Sequence, residues 1–138
     1  MLALRAFIAG FISTLVFHQG LLAILHAAGV SPRGAFNMES VPPLGIPQVI
    51  SLAFWGGIWA IAMAYALKDF GDGSAYWIWW TVIGALAPSI VALFIVFPLK
   101  GMPMAGGWDP KIIIGALLLN GAWGFGSALI LRYLPQFG

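Results

Sequence analysis

The chain has 138 residues, 62% of them apolar, with a mean hydropathy of +0.99. Six Lys and Arg against four Asp and Glu give a formal charge of +2, and only 7% of residues are charged. A soluble domain carries about 25%, so this surface is built for lipid, and residues 1–138 read as a single integral membrane domain. The same composition excludes disorder, and without a Lys/Arg cluster nucleic acid is not an expected partner. No cysteine is present, which removes disulfides, thiolate nucleophiles and cysteine-held metals.

A hydrocarbon core about 30 Å thick needs about 20 mostly apolar helical residues. Four segments meet that length. The first covers about 3–28, with Arg5 near its start and Gly29 as a stop. It is too long for the apolar region of a signal peptide, and His18 and Gln19 interrupt it, so it is expected to stay as a span. The second covers about 47–67, opening on Pro47, with a turn at Gly71-Asp72-Gly73 after it. The third covers about 75–97 and contains Pro88, whose missing N–H predicts a kink. The fourth covers about 110–131, with Asp109 as cap, Pro110 in the first turn and Arg132 at its close. Lipid offers no partner to a backbone polar group, so each span must be helical. The expected fold is an all-α membrane protein, a compact four-transmembrane-helix bundle running up-down-up-down.

Loops one and three then share one face, and loop two shares the other with both termini. Arg5, Lys68 and Arg132 on one side balance Arg33, Lys100 and Lys111 on the other, so the positive-inside rule gives no vote. The terminal amine tips the expectation towards cytoplasmic termini in a bacterial inner membrane. Tyr76, Trp77, Trp79, Trp80 and Trp108 fit interfacial anchors at headgroup level. Spans two and four share an initial Pro, a Gly-x-Trp and a basic end, a faint sign of a duplicated two-span unit.

Helices in lipid associate by close packing and interhelical hydrogen bonds. Each span carries a ridge of small or polar residues at i, i+4 spacing. Gly10 marks the first, Gly56 and Ala60 the second, Gly84 the third and Gly124 the fourth. These ridges are expected to meet at the bundle centre, leaving the Leu, Ile and Phe faces to lipid.

No Asp, Glu, Lys or Arg lies near the middle of a span. The chain shares length and span count with four-helix exporters of the small multidrug type, but it lacks the intramembrane acid they need. Its polar candidates are His18, Gln19 and Thr14 in span one and Asn120 in span four. An unpaired amide or imidazole in hydrocarbon costs several kcal/mol, of order 2–7, so partners are expected, with His18 and Asn120 as the preferred pair. Met38, Met102 and Met104 read as loop filler rather than a copper site, and His26 as an interfacial residue. Enzyme motifs are missing, so no catalytic role and no metal are expected.

Three functions stay open. The first is a non-catalytic accessory or structural subunit of a larger membrane assembly or a homo-oligomer, with the lipid bilayer, other membrane chains or its own copies as partners. The second is a small transporter or channel-like module with a polar site at His18, Gln19, Thr14 and Asn120. The third is a haem or pigment held by His18 as its one axial ligand; otherwise no cofactor is expected.

Overall fold

The computed structural model describes residues 1–42, 44–70 and 73–135. Gly71 and Asp72 of the expected turn lie outside the described residues. Among the described residues four helices are long and apolar enough to cross a membrane: α1 (Leu2–Ala27), α2 (Gln48–Leu67), α3 (Ser74–Leu99) and α4 (Pro110–Tyr133). Pro47 falls just outside α2. It belongs to a two-residue strand β2 (Ile46–Pro47) paired antiparallel with β1 (Ser40–Val41), and that pairing holds it extended.

Two of the long helices are irregular. α1 widens into a π turn over Thr14–His18, and α3 does so over Ala92–Val96, one turn after Pro88. Such widenings occur mostly as single turns and often at functional positions. Loop three ends in a left-handed turn, with φ of 53°, 63°, 70° and 62° from Ala105 to Trp108. Only glycine adopts that conformation freely. Gly106 and Gly107 make up its centre, Ala105 is sealed from solvent, and Trp108 rests on the Phe94 ring at 5.6 Å. Asp109 then caps α4 as expected, its Oδ1 accepting from the Lys111 N–H at 2.9 Å.

The small-residue ridges do pack, but in pairs. A Cβ on Gly10 would collide with the Gly56 carbonyl and the Ala60 methyl. A Cβ on Gly84 would come within 2.8 Å of the Gly124 Cα. A third seam sets Ser13 and Phe17 of α1 against Gly126 of α4, whereas α2 and α3 meet only weakly. The expected single meeting point is therefore replaced by three seams. Two backbones in contact across a glycine leave no space between them for a further ridge.

At the ends of the chain, Arg5 Nη2 donates to the carbonyls of Leu131 (3.0 Å) and Leu134 (3.2 Å). The Tyr76 hydroxyl donates to the Ala128 carbonyl at 2.5 Å. The last four carbonyls of a helix have no intrahelical donor, so the Arg5 bond to Leu131 serves the end of α4, while Tyr76 bonds one turn earlier. Trp80, expected at an interface, is only 2% exposed and packs in the core with Trp123, Met63 and Ala6. Its place on the α4-facing side of α3 outweighs its affinity for headgroups. Trp79 and Trp108 remain exposed, and Tyr76 and Trp77 are half-buried.

Candidate functional site

The polar side chains separate into three networks. The first joins α1 to α4. Ser13 Oγ donates to the Trp123 carbonyl at 2.7 Å, and Trp123 Nε1 donates back to the Gly10 carbonyl at 3.2 Å. Thr14 Oγ1 donates to that same carbonyl at 2.9 Å. Thr14 thus spends its hydroxyl on its own helix, at the point where the π turn begins.

The second network joins α3 to α4. Asn120 Nδ2 donates to Ser89 Oγ at 2.9 Å, and Ser89 Oγ donates to the Ala116 carbonyl at 3.2 Å. Ser89 was not singled out from sequence. The available signal was its position beside Pro88, as one of two aliphatic hydroxyls in the third span.

The third network lies between α1 and loop one. The Phe36 N–H donates to Gln19 Oε1 at 2.7 Å, and Gln19 Nε2 lies 3.0 Å from His18 Nδ1. A backbone N–H can only donate, so the amide oxygen must face Phe36 and the amide nitrogen must face His18. His18 Nδ1 therefore accepts, and the neutral ring carries its proton on Nε2. Phe36 has φ of 58°, a conformation that costs a bulky residue energy unless its surroundings hold it. The Gln19 bond is one such restraint.

This network sets the level at which loop one docks on the bundle. Residues next to Phe36 cap α2: the Val49 N–H donates to the Asn37 carbonyl and the Gln48 N–H to the Glu39 carbonyl, at 2.9 and 2.8 Å. Gln19 is therefore level with the first turn of α2, while the Ser13–Trp123 bond keeps this stretch of α1 beside the middle of α4. α1 continues beyond that level to Ala27, where His26 is exposed with its Nδ1 3.0 Å from the Ser31 carbonyl. The expected His18–Asn120 pair does not form. Gln19, the adjacent residue, takes the imidazole, and Ser89 across the α3–α4 seam takes the amide.

This arrangement does not suit an axial haem or pigment ligand. Coordination through Nε2 would move the ring proton to Nδ1, against the Gln19 amide nitrogen, and turning that amide would break the Phe36 bond. Among the described residues no group of three His, Cys, Asp or Glu could hold a metal ion. Two surface concavities are apolar. One is lined by Phe7, Ile8, Phe11 and Ile12, the other by Val16, Phe17, Gly20, Leu21, Ile24 and Ala122. Ser127 Oγ and Arg5 Nε are buried without a hydrogen-bond partner among the described residues. No family model matches the chain, and no match was found among curated proteins or solved structures.

Proposed function

We propose that the chain is a multi-pass protein of a cell membrane and serves as a non-catalytic accessory or structural subunit, docking to a larger assembly or to its own copies. Its four long helices would cross the bilayer in alternating directions. In support, the start of α1 meets the end of α4 through Arg5, and Tyr76 and Ser89 of α3 meet Ala128 and Ala116 of α4 in reversed order.

One observation carries the functional reading. Asn120 is engaged in a bond that holds helix to helix, Gln19 in one that holds loop to helix, and Thr14 in one within its own helix. A transport site built from His18, Gln19, Thr14 and Asn120 would need those residues together, and they lie in three separate networks. The outer surface presents large apolar side chains along all four helices, among them Val16, Trp55, Ile78 and Leu118. That surface suits lipid and protein neighbours.

The test is extraction in mild detergent followed by size-exclusion with light scattering. A stoichiometric partner chain or a defined homo-oligomer is expected. A monodisperse monomer with no partner overturns the reading, and release from membranes by alkaline carbonate overturns the membrane assignment itself.

A further inference from the structure

The end of the bundle where α1 and α3 begin and α4 finishes holds two guanidiniums. Arg5 Nη2 donates to the Leu131 and Leu134 carbonyls, in the last turn of α4 and just beyond it. Arg132 stands between those two residues in the chain. It is exposed, with its guanidinium carbon 5.5 Å from the centre of the Tyr76 ring. The Tyr76 hydroxyl in turn bonds the Ala128 carbonyl, about one turn before Leu131. Hydrogen bonds and a ring contact therefore bring both cations to the last two turns of α4. Among the described residues neither has a carboxylate partner, and Asp69 of loop two pairs with neither.

The carbonyls leave Arg5 with donors to spare. A guanidinium has five N–H groups, and only those on Nη2 are bonded. Nε is enclosed without a partner among the described residues, and Nη1 is neither bonded to them nor enclosed. A half-buried cation with spare donors favours an anion from the surroundings. The negative end of the α4 dipole compensates part of this charge. Against it, α1 and α3 present their positive ends here, with no acid in the first turn and no side-chain cap.

The level is set by pairing across the bundle. Arg5 with Leu131 and Tyr76 with Ala128 place the first turns of α1 and α3 beside the last turns of α4. Resting on the membrane reading above, helix ends at one level mark the border between acyl chains and headgroups. Half-buried Tyr76 and Trp77 and exposed Trp79 and Tyr133 suit that border. Its abundant fixed anions are phosphodiesters, and a guanidinium matches phosphate in both charge and geometry.

We propose that Arg5 and Arg132 hold the phosphodiester of an anionic phospholipid at this end of the bundle, Arg5 through Nη1 and Arg132 by its charge. Tyr76, pinned to α4 by its own hydrogen bond, keeps Arg132 on this side. A lipid bound there ties the start of α1 more firmly to the end of α4.

The test uses the full chain in detergent, with lipid retention followed by native mass spectrometry and by thermal unfolding. The probes are a phosphatidylglycerol, a phosphatidylcholine of the same chains, and inorganic phosphate. Phosphatidylglycerol is expected to stay bound and raise the unfolding temperature, while the other two do so weakly or not at all. Arg132→Gln, which leaves the Arg5 bonds in place, is expected to weaken phosphatidylglycerol binding by about fivefold, the upper scale of an exposed charge pair. Arg5→Gln is expected to weaken it by about tenfold, the scale of one hydrogen bond between charged groups. Arg132→Lys should stay within about threefold of the parent. Arg33→Gln, which removes the same charge from loop one, should leave binding unchanged.

Unchanged binding in Arg132→Gln overturns the proposal, as does an equal loss in Arg33→Gln, which would show that net charge alone attracts the lipid. Equal stabilisation by phosphatidylcholine overturns the choice of an anionic lipid, and equal stabilisation by inorganic phosphate shows an ion site instead. If the chain resists carbonate extraction and Arg132→Gln still retains phosphatidylglycerol as the parent does, the lipid site fails while the membrane reading stands.

Discussion

In the α3–α4 pair, the polar chain from Asn120 through Ser89 to the Ala116 carbonyl begins and ends within the pair. In the α1–α2 pair, polar groups of α1 reach outward: Ser13 to the Trp123 carbonyl of α4, and Gln19 to the Phe36 backbone of loop one. Both pairs are drawn close by glycine, at Gly10 with Gly56 and at Gly84 with Gly124. The difference shows that α1 is the joint of the molecule. It packs on α2 by shape, and it holds α4 and loop one by hydrogen bonds. The faint likeness of spans two and four does not extend to these roles. Trp123 is buried and bonds to Gly10, whereas Trp59 is half-buried at the edge of the core.

The comparison breaks most visibly at the glycines. Gly10→Val and Gly124→Val each drive a side chain into a backbone across the seam, and each should cost about 3 kcal/mol or more. Thermal unfolding in detergent reads the loss; if Gly124→Val unfolds at the parent temperature, the seam is not what holds α3 to α4. Ser89→Ala strands the Asn120 amide and should cost about 1–2 kcal/mol. Adding Asn120→Leu should recover part of that loss, because both polar partners are then gone. A double variant less stable than the single would show that Asn120 has another role.

Trp123→Phe removes the indole donor to the Gly10 carbonyl and should cost about 1 kcal/mol, the usual scale of one interhelical bond. Because this bond joins the two pairs, the variant should also loosen α1 against α4, read as faster amide exchange at Ser13 and Thr14. The smallest effects carry the opposite sign. Gly115 has open space where a Cβ would go, so Gly115→Ala should stabilise α4 by about 0.5–1 kcal/mol through helix propensity. Ser127→Ala deletes a buried hydroxyl that lacks a partner among the described residues. It should be neutral or stabilising by up to about 1 kcal/mol, measured in the same unfolding assay.

Much of this architecture was legible in the residues. Apolar length placed the four long helices within a few residues. Asp109 announced its own cap, and the ridges at Gly10, Gly56, Gly84 and Gly124 marked surfaces that pack. Which ridge meets which was not legible, because it depends on how each helix is rotated and staggered, and the π turn at Thr14–His18 alters that rotation for α1. Trp80 looked like a headgroup anchor because it follows three aromatics, Tyr76, Trp77 and Trp79, yet its side of α3 faces α4. The partner of Gln19 was expected inside the bundle and is instead loop one, folding back onto it. The bond that fixes it comes from the Phe36 main chain, which leaves no trace in a pattern of side chains.

The Arg5 clamp has a consequence for the order of assembly. It ties the first turn of the chain to carbonyls 126 and 129 residues downstream. During synthesis α1 therefore leaves the ribosome long before its acceptors exist, and Arg5 and Ser13 stay without their final partners until the last helix emerges. A chain stopped short of α4 would present both groups bare, a chemical mark by which a membrane protease could tell an unfinished molecule from a finished one.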